Sequence, residues 1–359
     1  MKLFNQVYQG CDVLITGHNG FKGSWLSLWL NKMGANVTGI SLPLTDDNQH
    51  FSQLQLGLNE YDVDIRDFDA VHKIFQETKP EIVFHLAAQS LVRPSYADPL
   101  ETWSTNVMGT ANVLEACRKS DSVKAVVVIT SDKCYENKEW QWGYRENDRL
   151  GGHDPYSASK AGVELVAKSF RKSYFETSAN VLLATARAGN VIGGGDWSLD
   201  RLIPDAARAV KQKKEMLVRS PNAIRPWQHV LEPLSGYLML GEKLLSRKSE
   251  FAAAWNFGPD EQGNRTVKEM LMRLQHNWQS LRFSIADEPQ LHEAGLLKLD
   301  SSNARNNLKW QPVWKWEENI DATASWYNTY LFNDKIVTES QLEAYITDAH
   351  RLDCEWVKL

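Results

Sequence analysis

The sequence predicts an α/β protein: a doubly wound parallel sheet followed by a smaller mixed α/β lobe. Three observations carry this. Apolar runs of strand length alternate with stretches of helical period as far as residue 186. The first run leads straight into a glycine-rich turn and a helix, the local order in which a parallel sheet meets a dinucleotide. The run Ala125–Thr130 (AVVVIT) carries no alternation, as a strand covered on both faces must not.

Taken in order, residues 1–10 lead into the strand Cys11–Thr16, which ends in Gly17-His18-Asn19-Gly20-Phe21-Lys22-Gly23. The spacing is G-x-x-G-x-x-G. Trp25, Leu26, Trp29, Leu30 and Met33 then recur at helical spacing, with Gly34 as the stop. In that context the glycines permit close approach to a pyrophosphate, and the helix N-terminus offers free N–H groups and a positive dipole end. The next strand, Asn36–Leu42, carries Ser41 at its tip; Asp46 and Asp47 come only later, and no Arg sits there to favour a 2′-phosphate. That leans the cofactor toward NAD rather than NADP. Asp62–Asp67 precedes a helix with Phe68, Val71, Ile74 and Phe75 inward, stopped by Pro80. The strand Ile82–Leu86 ends in the small residues of His85-Leu86-Ala87-Ala88-Gln89, which suit either a ligand's approach or a plain tight turn. Asn106–Lys119 reads as an amphipathic helix, Ser157–Tyr174 as another, and Asn180–Ala186 as a further buried strand.

The turns at Gly17–Gly23, Ala87–Ser90, Ser131–Lys133 and Arg187–Asn190 all fall at carboxyl ends of these strands, where open parallel sheets bind ligands. Tyr156 and Lys160 stand four residues apart at the start of a helix and so share a face. An ammonium beside a phenol favours phenolate, which predicts a Tyr156 pKa pulled down from about 10 and a usable general base. An ordinary helix face would carry the same pair, so the spacing alone does not decide.

Beyond residue 187 the alternation breaks. A glycine loop at 193–195 is followed by Arg201, Arg219 and Arg225; Ala254–Phe257 and Leu296–Leu299 read as short strands, Thr266–Trp278 and Trp316–Tyr330 as helices. The expected division is residues 1–186 for the cofactor and 187–359 mainly for a second ligand, with an interleaved boundary and no linker between. The last twenty residues carry no functional signal.

Composition sets bounds. The 359 residues are 43% hydrophobic and 24% charged with net charge −5, so nucleic acid is not an expected partner. No apolar run approaches the ~18 residues of a membrane span, and no signal pattern precedes the first strand. Cys11, Cys117, Cys134 and Cys354 form no C-x-x-C; no metal site is expected, and widely spaced thiols fit a reducing cytoplasm. Of the fourteen Trp, some should line a ligand cleft and most should be core.

The glycine turn, Asp64-Ile65, the His85–Gln89 turn and Tyr156/Lys160 together resemble the extended short-chain dehydrogenase/reductase superfamily, with its Rossmann-type sheet. Within it, Leu91–Pro99, Thr105–Ala116, Thr130–Asn137, Gly151–Lys160, Ala186–Asp205 and Ser220–Pro233 look like blocks of the sugar-nucleotide 4,6-dehydratases, most closely of those that use CDP-glucose. They cover most of residues 11–235; residues 270–359 match diffusely. The resemblance implies a redox-neutral lyase: NAD takes the C4 hydride of CDP-glucose, water leaves across C5 and C6, and the hydride returns at C6. It implies NAD contacts from Gly17, Asn19, Gly20, Phe21, Lys22, Gly23, Asp64, Ile65, Leu86, Ala87, Ala88, Gln89, Thr130, Tyr156 and Lys160. Catalysis would fall to Ser131, Asp132, Lys133, Tyr156 and Lys160, with Tyr156 as base and Ser131 on the 4-oxygen. Related dTDP-glucose enzymes resemble this with Thr-Asp-Glu at 131–133, so Lys133 is a departure that leaves the C5 base open. Ser90, Arg93, Asn190, Arg201 and Arg225 would bind substrate, with Gln89 near the sugar. Asn106 would support the site through its backbone. The resemblance also implies a homodimer or dimer of dimers, pairing helices near Thr102–Lys119 and Ser157–Tyr174 into a four-helix bundle. The alternatives are a sugar-nucleotide 4-epimerase, which needs no ionisable groups at 132 and 133, and a dinucleotide-binding regulator, which tends to lose the Tyr or the Lys.

Overall fold

The computed structural model describes residues 2–44, 50–178, 181–286 and 295–358; Asp46, Asp47 and Asn180 lie outside them. Seven parallel strands form the main sheet: β1 (Asp12–Thr16), β2 (Asn36–Ser41), β3 (Asn59–Asp62), β4 (Ile82–His85), β5 (Ala125–Ile129), β6 (Leu182–Ala188) and β11 (Ala254–Phe257). Their order is β11-β6-β5-β4-β1-β2-β3. The chain winds one way from β1 through β2 to β3, then crosses back to β4 and winds the other way. The crevice opens where the direction reverses, between the carboxyl ends of β1 and β4.

Alternate residues of the central strands feed two cores. Val13, Ile15, Ile82, Phe84, Val127 and Ile129 face one side; Leu14, Val83, Val126 and Val128 face the other. The helices are α1 (Phe21–Lys32), α2 (His50–Leu54), α3 (Phe68–Thr78), α4 (Val92–Ala97), α5 (Pro99–Trp103), α6 (Gly109–Arg118), α7 (Pro155–Phe170), α8 (Glu176–Ser178), α9 (Leu202–Gln212), α10 (Leu231–Leu245), α11 (Val267–Asn277), α12 (Trp316–Asn333) and α13 (Thr338–Arg351). Buried residues of α3, α6 and α7 join the core on one face of the sheet, and those of α1 and α10 the core on the other. Burying one such aliphatic or aromatic side chain contributes about 1.5–3 kcal/mol. Gly34, at φ +81, ends α1 where the left-handed conformation is needed.

Local chemistry moves several boundaries. Asp154 caps α7 by accepting from the Ser157 amide at 2.9 Å, and Pro155 takes the first helical position, so α7 starts two residues before the predicted Ser157. The helix predicted from Asn106 begins at Pro99, capped by Asp98, and passes through a π-turn at Ser104–Met108 into α6. Leu296–Leu299 does not form the predicted strand: Leu296 and Leu299 make single bridges to Ile224 and Tyr144.

Among the described residues the smaller lobe holds three two-stranded pairs. β7 (Val191–Ile192) pairs with β10 (Gln228–His229), β8 (Glu215–Val218) with β13 (Arg282–Ile285), and β9 (Ile224–Pro226) antiparallel with β12 (Asn264–Thr266). The two lobes interleave, because β11 and α10 lie in and on the main sheet although they follow the first elements of the smaller lobe. The C-terminal segment, silent in sequence, packs against the start of the chain: Trp356 stacks on Phe4 at 5.2 Å. Among the described residues no helix is long and apolar enough to cross a membrane.

Candidate active site

The chain leaves β1 at Gly17, whose φ is +74; a Cβ there would lie 2.7 Å from the Ala87 amide nitrogen. A Cβ on Gly23 would lie 2.0 Å from the Gly17 carbonyl oxygen. These two glycines are required by the turn and by its close approach to the end of β4. α1 begins at Phe21 with Gly20 as its cap, and no side chain hydrogen-bonds its first amides. Gly17 and Asn19–Gly23 line a cavity of about 750 Å³. Glycines that leave room for a ligand, free amides and a positive helix end together fit the pyrophosphate of a dinucleotide.

Ser41, Leu42, Val63, Asp64 and Ile65 line one end of this cavity, and the Asn19 side-chain amide ties the turn to the Leu42 carbonyl at 2.9 Å. Asp64 accepts from Arg66 Nε at 2.9 Å, and the same guanidinium reaches Glu101. Its bond to Arg66 holds the Asp64 carboxyl below the usual range. Leu86, Ala87, Ala88 and Gln89 form the facing wall. His85 is a structural pin: its Nδ1 lies 2.7 Å from Thr16 Oγ1 and its Nε2 2.9 Å from Thr110 Oγ1, and burial pushes it down to about 3. Asn106 is engaged through both backbone and side chain: its carbonyl accepts from Thr110 Oγ1 at 2.6 Å. Its Oδ1 accepts from the Gln89 amide at 2.8 Å, and its Nδ2 donates to the Gln89 carbonyl at 3.0 Å and Ser159 Oγ at 2.8 Å.

At the end of β5, Thr130, Ser131, Asp132 and Lys133 all reach the cavity. Ser131 Oγ donates to Asp132 Oδ1 at 3.0 Å and accepts from the Lys133 amide at 3.2 Å. Asp132 is 2% exposed and its Oδ2 has no hydrogen-bond partner. Burial pushes this carboxyl up, with the Lys133 charge opposing, so the group is biased toward the protonated acid.

Tyr156 and Lys160 lie buried in the same cavity, with Lys160 Nζ 6.0 Å from the Tyr156 ring centre. The predicted fall in the Tyr156 pKa is overturned here. Burial raises the phenol to about 12, although the Ser131 hydroxyl and the Arg201 charge act the other way. Stripping water from a phenolate costs more than the nearby cations return. The same burial pushes Lys160 down to about 8.

Ser90, Arg93, Asn190, Arg201 and Arg225 line the other end of the cavity. Arg201 donates to Asp196 at 2.9 Å and to Ser90 Oγ at 3.3 Å. Arg93 and Arg219 meet on Asp200, at 3.1 and 2.9 Å. Arg225, on β9, is 3% exposed. The acids Asp196, Asp200 and Asp205 were not singled out in sequence, although all three stand in the 186–205 block that was. Ser95, whose Oγ accepts from the Tyr156 amide at 3.2 Å, carried no sequence signal of its own.

Residues 14–323 match the family model of GDP-mannose 4,6 dehydratase. The chain is 46% identical over 343 residues to the CDP-glucose 4,6-dehydratase of Salmonella typhimurium, covering 94% of this chain and 96% of that one. Its fold is shared by epimerase Mth375 of Methanothermobacter thermautotrophicus, with TM-score 0.81, 23% identity and coverage of 91% of this chain and 95% of that one. The dTDP-glucose 4,6-dehydratase of Bacillus anthracis, solved in complex with NAD, superposes with TM-score 0.73 at 19% identity, covering 89% of this chain and 97% of that one. With strand order, glycine turn and the Tyr156/Lys160 pair in place, the chain belongs to the GDP-mannose 4,6 dehydratase family.

Proposed function

We propose that the chain converts CDP-glucose to CDP-4-keto-6-deoxyglucose with NAD as its cofactor, a step of deoxysugar biosynthesis of the lipopolysaccharide type. The observation that carries this reading is the placement of Asp132 and Lys133 in one cavity with Tyr156 and Lys160. The 46% identity to a CDP-glucose 4,6-dehydratase supports the choice of nucleotide.

NAD, when bound, supplies a reversible hydride acceptor. The turn Gly17–Gly23 and the first amides of α1 hold its pyrophosphate, Asp64 and Ile65 its adenosine end, Leu86–Gln89 and Thr130 its facing side, and Lys160 its nicotinamide ribose. Tyr156 takes the proton from the 4-hydroxyl, with Ser131 hydrogen-bonded to the same oxygen. The phenol is held high by burial, and the Ser131 hydroxyl and the Arg201 charge are what act to bring phenolate within reach. Once C4 is a ketone the C5 proton is acidic. Lys133 removes it, and Asp132 protonates the departing 6-hydroxyl, which would otherwise leave as hydroxide. Asn190 and Arg225 hold the diphosphate with help from Arg201, and Gln89, Ser90 and Arg93 lie near the sugar; planar guanidinium forks suit phosphate oxygens. This local cluster serves an anion in a chain whose net charge is −5.

The protein assembles as a dimer through α5, α6 and α7. Leu100 and Trp103 on α5, Met108 in the π-turn before α6 and Leu165 on α7 are 41–79% exposed, apolar surface that calls for cover. Cys11, Cys117, Cys134 and Cys354 are free buried thiols, which supports a reducing cytoplasmic setting.

Incubation with CDP-glucose and NAD tests the reading. A product with the alkaline ultraviolet absorbance of a 4-keto-6-deoxy sugar supports it. CDP-galactose as product would make the chain an epimerase, and cofactor binding without turnover would make it a regulator.

A further inference from the structure

The first amides of α7 have no partner within the helix, and Tyr156 carries one of them. Pro155 has no amide hydrogen to place. The Ser157 amide donates to the Asp154 carboxylate at 2.9 Å, and the Ala158 amide to the Asp154 carbonyl at 2.9 Å. The Tyr156 amide is satisfied from outside: it donates to Ser95 Oγ, on α4, at 3.2 Å. Ser95 is fully buried, so no bulk water stands in for it. Its own hydroxyl donates to the Val92 carbonyl at 2.6 Å, which leaves its lone pairs for the Tyr156 amide.

α4 is also a wall of the cavity: Val92, Arg93 and Tyr96 line it, and α4 packs directly on α7. Ser95 itself does not line the cavity. A plain helix cap needs only a side chain next to its own helix, as Asp154 shows. Ser95 instead joins the backbone of Tyr156 to a second element, the one that faces the ligand. We infer that Ser95 is a positioning residue for the oxidation at C4: through the Tyr156 amide it fixes the phenol relative to a sugar held against α4. This rests on the dehydratase reading above, in which Arg93 lies near the sugar. A base must lie within about 2.6–3.2 Å of the proton's oxygen, and small misplacements there slow the reaction steeply. A shift of α4 as the sugar seats is passed to Tyr156 by this bond, so the two ends of the proton transfer move together.

The test is a cycle of full-length variants, Ser95→Ala, Tyr156→Phe and the two together, read by single-turnover NADH formation with NAD and saturating CDP-glucose. Ser95→Ala should form NADH about tenfold more slowly, the effect of one hydrogen bond lost from the transition state. Its Kd for CDP should be unchanged, since Asn190 and Arg225 hold the diphosphate. Added to Tyr156→Phe, Ser95→Ala should slow the reaction no further, because the group it places is gone. Ser95→Cys, whose sulfur is a weaker acceptor, should fall between Ser95→Ala and the unaltered chain, and it replaces Ser95→Ala in the cycle if that variant does not fold. A Ser95→Ala rate equal to that of the unaltered chain, with only the unfolding midpoint lowered, would make Ser95 a structural cap and overturn the inference. A further loss in the doubly altered chain would route the effect around Tyr156 and overturn it too. If the unaltered chain binds NAD but forms no NADH from CDP-glucose, the dehydratase reading fails and takes the inference with it.

Discussion

Glu164 and Arg187 meet inside the protein at 2.8 Å, each 3% exposed. Glu164 stands two turns of α7 beyond Tyr156 and one beyond Lys160. Its carboxylate also accepts from Thr130 at 2.6 Å and Thr185 at 2.8 Å, and Arg187 donates to Tyr135 at 2.7 Å. The pair ties the helix that carries the candidate base to β6 and to the residue before Ser131.

Removing one partner should be costly. Glu164→Ala leaves a buried guanidinium without its counter-charge, and a loss of about 3–5 kcal/mol is expected in denaturant unfolding. Burial acts to raise the Glu164 carboxyl, but the charge and hydrogen bonds of Arg187, with those of Thr130 and Thr185, hold it below its usual range. Its folded-state pKa is thus lower than its unfolded one. The stabilisation is present above about pH 4.5 and lost as pH falls below it. The stability gap between the unaltered chain and Glu164→Gln should shrink across that acid window. A gap that stays constant to pH 3 would contradict this account.

Tyr156→Phe should bind CDP-glucose as before and lose C4 oxidation, with turnover down about 10²–10⁴-fold. Single-turnover NADH formation reads the step directly. A rate within a few-fold of the unaltered enzyme would remove Tyr156 from proton transfer.

Lys133→Met should oxidise C4 and accumulate enzyme-bound NADH without exchanging the C5 proton with solvent deuterium. Asp132→Asn should accumulate NADH too, yet exchange C5, because the base survives. Normal exchange in Lys133→Met together with blocked exchange in Asp132→Asn would reverse the two roles.

Leu165→Glu places a charge on the exposed apolar face of α7. Sedimentation should shift from a dimer toward a monomer while each subunit keeps its fold by circular dichroism. An unchanged sedimentation coefficient would place the interface elsewhere.

Strands with unbroken apolar runs, β1 and β5, were readable because burial on both faces leaves a composition that nothing else explains. β3 was not, because its residues Asn59-Glu60-Tyr61-Asp62 carry charge at the sheet edge, where they pair with β2 alone within the main sheet. The cavity-lining turn Ser131–Lys133 was legible as three neighbours after a strand, and Tyr156/Lys160 as a helical pair. The direction of the Tyr156 shift was not, since desolvation is set by walls drawn from α4, β5 and the Arg201 segment, which local spacing does not record. The contacts of the Asn106 side chain with Gln89 and Ser159 were not legible, because the π-turn that holds Asn106 leaves no pattern in the sequence.

The last place in the sheet has a consequence for how the protein is made. β6 ends at Ala188, but its outer neighbour β11 starts only at Ala254. A growing chain therefore displays β6 as an apolar strand with a bare edge while the ribosome still works through the arginine-bearing segments. Such edges recruit other strands. α10, translated just before β11, packs on β5 and β6 and then on β11 itself, so the cover for one face of β6 arrives one step ahead of the strand that closes its edge. Release at residue 186 would leave the edge open for good; the segments between β6 and β11 are enclosed within the sheet's own assembly and cannot be trimmed away from it.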